Sequence, residues 1–121
     1  FRGGANRAEQ QAQLARLKAE VRACRRAVEE GGAAYSLILF PVLAELDNYP
    51  FGEVHEAVRL FALEEELPYL DLLDVFAGRD AVELRVSIAN EHPNPEGHRI
   101  AALSITQHLR GNLLPLFNAR P

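Results

Sequence analysis

The sequence predicts an α/β chain: two strands of a parallel sheet with three helices around them. Two apolar runs, Ala34 to Phe40 and Tyr69 to Leu73, are short enough for strands. Between and around them lie longer stretches whose apolar residues recur at three- and four-residue steps, the helical period. Proline and glycine punctuate the changes of period at Gly31-Gly32, Pro41, Pro68 and Pro95. With 121 residues, 48% of them apolar and 25% charged, the chain holds at most one globular domain.

Residues 1–7 read as a loop or a cut end. From about Ala8 to Glu30 the chain is rich in Ala, Gln, Glu, Arg and Leu, all good helix formers. Leu14, Leu17, Val21, Cys24 and Val28 align on one face, suited to packing on a sheet, and Gly31-Gly32 supplies the left-handed residue that ends such a helix. The run Ala34–Phe40 has no polar alternation, as expected of a strand buried on both faces. A turn-rich loop follows at Asp47-Asn48-Tyr49-Pro50. Glu53 to Leu67 is a second helix with Val54, Val58, Phe61 and Ala62 inward and His55 on its exposed or flanking side. Pro68 breaks it before the strand Tyr69–Leu73. A strand, a helix and a strand in that order form a right-handed crossover with parallel strands.

Residues 74 to 84 read as a short helical or irregular connection and 86 to 91 as a loop. Asn94-Pro95 then opens a third helix, since asparagine caps a helix start well and proline is favoured at its first position. Ile100, Ala101, Leu103, Ser104 and His108 lie along it as far as Gly111. The apolar tail, residues 113–121, packs back on the domain. Two strands this apolar imply a wider sheet, completed by a missing N-terminal segment or by another chain. The absence of methionine and the start at Phe1 suit a processed or trimmed product.

Charge and composition narrow the function. The net charge is -4, and the basic cluster Arg22, Arg25, Arg26 is flanked by Glu20, Glu29 and Glu30, so it reads as a solvated helix face and not a nucleic-acid surface. No apolar run approaches the ~20 residues of a bilayer span, so no membrane partner is expected. One cysteine, Cys24, excludes an intrachain disulfide and a cysteine-based zinc site. No histidine pair has metal-ligand spacing, Asp71 and Asp74 lack the companion acidic pair of a cation site, and no glycine-rich phosphate loop occurs. No cofactor is called for.

The stretch Asn90-Glu91-His92-Pro93-Asn94-Pro95-Glu96-Gly97-His98, with the Leu-Phe-Pro strand and the Pro-Tyr-Leu-Asp strand before it, resembles the C-terminal half of the SGNH (GDSL-type) ester hydrolases. The resemblance covers residues 8–112 and implies part of a three-layer α/β/α sheet of flavodoxin-like type. It implies a small-molecule ester as substrate and His92 as the general base that activates a serine, a task suited to imidazole near neutral pH.

The sequence departs from the family at three places. The family carries an orienting aspartate three residues before the histidine, where Ala89 stands here. The imidazole must then be held by a backbone carbonyl, Asn90 or Glu91. The Gly-Asp-Ser nucleophile block and the glycine and asparagine oxyanion donors are absent. Ser36 lies in a strand, Ser87 in a loop and Ser104 in a helix, and Asp47-Asn48 lacks the glycine of the family's Gly-X-Asn-Asp block. His98 and His108 are expected as surface or packing residues. The chain is therefore expected to be inactive without the nucleophile block. A non-catalytic scaffold or interaction domain that has lost its aspartate is the alternative.

Overall fold

The computed structural model describes residues 6–115, and among them the fold is mixed helix and strand, with five helices and two small sheets, one parallel and one antiparallel. Contacts divide the chain into two compact units, residues 1–35 and 36–121.

The first unit is built on α1 (Arg7–Glu30). Asn6 caps it: its side chain accepts from Glu9 N, while the Glu9 carboxylate accepts from Asn6 N, a reciprocal capping box. The helix ends in a Schellman turn, with Ala33 N donating to Val28 O and Gly32 N to Glu29 O. Gly32 takes the left-handed conformation this turn needs, at φ 84°. Leu14, Val21 and Val28 are shielded as the helical period predicts, but Leu17 and Cys24 are exposed. The half-buried stripe runs instead through Lys18 and Arg25. Arg25 Nε pairs with Glu29 at 2.8 Å, within the solvated basic cluster.

The second unit holds the sheet. β1 (Leu37–Leu39) and β2 (Tyr69–Asp71) pair in parallel, Leu37 opposite Tyr69 and Leu39 opposite Asp71. Their connection is α2 (Gly52–Glu64), the expected crossover. Both strands are only three residues long and half-buried, in place of the longer, fully buried strands the apolar runs suggest. The reason is the size of the sheet: with two strands, neither has a paired outer edge among the described residues.

The pleat sends successive side chains to opposite faces. Ile38 and Leu70 turn toward a core of Leu43, Leu46, Leu72, Phe76, Leu84 and Ile100, while Asp71 turns toward α2. After β2 the chain forms α3 (Leu72–Phe76), capped by the Asp71 side chain, and α4 (Ala81–Leu84), capped by Asp80.

Residues 86 to 91 are not a loop. β3 (Arg85–Ser87) and β4 (Asn90–Pro93) form an antiparallel hairpin that places His92 in a strand. Its two-residue connection, Ile88-Ala89, contains none of the glycine or asparagine that marks tight hairpin turns, so the local sequence hides it. α5 (Pro95–Asn112) starts where Asn94-Pro95 predicts. Its packed face carries Gly97, Ile100, Ala101, Ser104, Ile105 and His108, and Leu103 points outward at 55% exposure. Of the tail expected to pack back on the domain, Leu113 is buried, Leu114 is exposed, and residues 116–121 lie outside the described residues.

No helix among the described residues is long and apolar enough to cross a membrane.

Candidate functional site

Asn94 fixes the start of α5 against the hairpin. Its Oδ1 accepts from Gly97 N at 3.0 Å, and its Nδ2 donates to Glu83 O and Arg85 O at 2.8 and 3.2 Å. Asn94 N donates to Leu84 O at 2.8 Å. One side chain thus caps the helix and satisfies carbonyls of α4 and β3, which sets the position of β4 and His92.

His92 is exposed and lines a cleft of about 580 Å³. One wall is Phe40, Pro41 and Val42, just beyond the carboxyl end of β1; residues 89–93 of the hairpin and His98 of α5 form the rest. Ligands of open α/β sheets bind beyond the carboxyl ends of strands.

The orientation of the imidazole follows from donor counting. Asn90 Oδ1 accepts from His92 N at 3.1 Å and lies 2.7 Å from His92 Nδ1. A backbone N–H can only donate, so the amide atom facing the ring is the oxygen. Nδ1 must then carry the hydrogen, and Nε2 is left with its lone pair, the form a general base needs. Asn90 therefore orients the imidazole, without supplying a charge.

Two other polar clusters surround histidines. Asp71 Oδ1 and Oδ2 lie 2.8 and 3.0 Å from His55 Nδ1, and His55 Nε2 lies 3.1 Å from the Tyr49 hydroxyl. The same hydroxyl accepts from Val42 N at 3.0 Å. His55 is buried at 6% exposure, which corrects its expected exposed or flanking place on α2. Its spacing carried the signal: it precedes Val58 and Ala62, both buried, by three and seven residues, so it shares their face. Asp71 also accepts from Tyr69 Oη and Leu73 N, so its oxygens are engaged by protein donors. Burial and the Asp71 charge hold the Tyr69 phenol well above its ordinary value. Burial raises the Tyr49 phenol as well; the Val42 hydrogen bond opposes this and Asp71 adds to it.

The serine and histidine that do meet are Ser36 and His108, with Oγ 2.7 Å from Nε2. Ser36 Oγ also donates to Pro68 O at 3.1 Å, and Asn112 Nδ2 lies 3.2 Å from His108 Nδ1. All partners are satisfied when Asn112 donates to Nδ1, Nε2–H donates to Ser36, and Ser36 donates to the carbonyl. In that state His108 gives a proton toward the serine oxygen and cannot act as its base. The chain ties the end of α5 to the starts of β1 and β2, opposite the cleft end of the strands.

Burial lowers the His108 proton affinity below its ordinary value of 6.5. As the pH falls, the unfolded chain takes up this proton first. The contribution of His108 to stability is thus complete above about pH 6.5 and is lost as the pH falls through the lowered folded value. Urea midpoints measured from about pH 7.5 down to pH 5 should fall less steeply for His108→Gln than for the wild type; equal slopes would mean that the imidazole is not shielded.

No family model, curated protein or solved structure matches this chain. The functional reading rests on its own residues. Of these, His92 and Asn90 stand together in the cleft, Ser36 is at the far end of its strand, and Ser87 and Ser104 do not line the cleft. Among the described residues no group of three His, Cys, Asp or Glu side chains could hold a metal. A second open cleft of about 550 Å³ lies along residues 44–48 and 78–81, and it contains Asp47 and Asn48 but no histidine.

Proposed function

We propose that residues 36–115 carry the histidine part of an SGNH-type ester hydrolase site, with His92 as general base and Asn90 as the group that orients it. The observation that carries this reading is the Nδ1 contact of 2.7 Å to Asn90 Oδ1, which leaves Nε2 as an acceptor on a residue that lines an apolar-walled cleft. The place of that cleft, beyond the carboxyl end of β1, agrees with it. Asn94 and Gly97 follow His92 at the family's spacing and hold the hairpin to α5.

In this reading the two-stranded sheet belongs to a wider, three-layer α/β/α sheet of flavodoxin-like type. The remaining strands, the serine and the oxyanion donors come from a further segment of polypeptide or from another chain. The substrate is a small ester whose acyl part lies along Phe40, Pro41 and Val42. His92 Nε2 removes the serine proton as the hydroxyl attacks the ester carbonyl, and returns it to the departing alcohol.

The 121-residue chain alone should not turn over a short-chain aryl ester. No described serine lies in the cleft, so the required nucleophile and oxyanion donors have no source. Addition of the completing polypeptide should restore turnover, and His92→Ala should remove it. Turnover by the isolated chain that survives His92→Ala would overturn the assignment. A completed assembly that binds esters without hydrolysing them would favour a scaffold that has lost its orienting carboxylate, a reading to which the neutral Asn90 points.

A further inference from the structure

The apolar wall of the cleft is not held by apolar packing alone. Phe40 packs against Phe76 with ring centroids 5.6 Å apart and planes tilted by 44°, and Leu43 is fully buried. Between them Val42 is 40% exposed, and Pro41-Val42 lies where the chain leaves β1. Its backbone is pinned from both sides by polar groups. Leu43 O accepts from Arg85 Nη1 at 3.1 Å, and Val42 N donates to the Tyr49 hydroxyl at 3.0 Å.

The Tyr49 hydroxyl is itself fixed by a chain that ends on a buried carboxylate. Asp71, whose carboxylate also accepts from Tyr69 Oη and Leu73 N, accepts from His55 Nδ1–H, so Nε2 presents its lone pair to Tyr49. Tyr49 O–H donates to that nitrogen, and its oxygen is then free to accept from Val42. Reversing any one bond leaves a polar atom without its partner. The ring of Tyr49 meets His55 edge-on at 5.1 Å, so the phenol has little freedom to swing away.

The geometry points to Tyr49 as a positioning residue for the cleft: through Asp71 and His55 it fixes the Phe40–Val42 wall opposite His92, and so sets how tightly an acyl chain is held. The inference rests on the ester-site reading, because it takes the wall to be the acyl-binding side. Tyr49 does not touch the substrate. It determines where Val42 lies, and Val42 and Phe40 determine the width available between the wall and the hairpin.

The test compares Tyr49→Phe with the wild type, since this change removes the hydroxyl and keeps the ring. Octanoate, the carboxylate product of a medium-chain ester, is titrated against the 121-residue chain while amide shifts of Val42 and ring shifts of His92 are recorded by NMR. Octanoate should bind the wild type saturably and shift both residues. In Tyr49→Phe the affinity should fall about tenfold, on the scale of one lost hydrogen bond that positions a contact, and Val42 amide exchange should accelerate. Ser36→Ala serves as a control: it removes a hydrogen bond from the same unit away from the cleft, lowers the melting temperature, and should leave octanoate affinity unchanged. Equal affinity in Tyr49→Phe and wild type overturns the positioning role while the ester reading stands. A parallel loss in Ser36→Ala also overturns it, because general destabilisation then accounts for the effect. Failure of the wild type to bind octanoate overturns the acyl-wall reading and the positioning role with it.

Discussion

If the proposed ester-hydrolase reading holds, Asn90→Asp should raise the turnover of the completed assembly by about ten- to thirtyfold, the difference between a neutral hydrogen bond to the imidazole and a charge-assisted one. In serine proteases the reverse exchange, aspartate to asparagine, costs about 10⁴, largely because the amide imposes the wrong tautomer. Here that part of the loss is avoided. The backbone N–H of His92 donates to Asn90 Oδ1, which turns the amide oxygen toward Nδ1 and keeps the hydrogen there. What a carboxylate adds is charge to stabilise the imidazolium that forms as the serine proton is taken.

The isolated chain supplies a second readout. Ring nitrogen shifts should show the Nδ1–H form of His92 in the wild type and in Asn90→Asp, and a mixture in Asn90→Ala. If Asn90→Ala leaves the tautomer unchanged, another group orients the ring. If Asn90→Asp slows the completed enzyme, the amide already serves the transition state better than a charge would.

Gly97→Ala should destabilise the unit by about 1–3 kcal/mol, the cost of forcing an extra methyl into a packed contact. A Cβ on Gly97 would stand 2.6 Å from Leu84 O and 3.0 Å from Pro93 Cβ. The first atom is backbone, and it already accepts from Asn94 N, so it cannot give way without loosening the cap of α5. The gain of up to about 1 kcal/mol that alanine normally brings to a helix is too small to offset this. Gly111→Ala measures that gain on the same helix, because nothing lies within 4 Å of its added Cβ. Urea unfolding should therefore move the two midpoints in opposite directions with the slope unchanged. In Gly97→Ala the His92–Asn90 hairpin should also shift, seen as altered His92 ring resonances. A Gly97→Ala protein as stable as the wild type would mean that α5 and the hairpin are not in close contact.

These two variants also show which parts of the chain were legible in its sequence. The helix starts were local facts. Asn94-Pro95 begins α5 and Gly31-Gly32 ends α1 because capping depends on residues within one turn of each other. The parallel pairing of β1 and β2 followed from a crossover helix between two apolar runs. His92 stood out because, with Pro93, Asn94 and Gly97, it resembles the last block of the SGNH hydrolases, and that resemblance, with Ala89 in place of the aspartate, implied Asn90, Glu91 or a carbonyl as the orienting group.

The sequence alone thus determined the three long helices and the crossover, and left the short helices α3 and α4 unresolved. Tertiary structure decided what each polar group meets. The hairpin that carries His92 is closed by Ile88-Ala89, which has no turn signature, so its pairing comes from the packing of α4 and α5 around it. Asn90 was one of three possible partners for His92, and only the strand geometry turned its oxygen to Nδ1. His55 and Asp71 are 16 residues apart, and Ser36 and His108 are 72 apart. Such pairs form because a buried donor or acceptor must find a partner, and no local pattern says which of the distant ones the fold will bring within 3 Å.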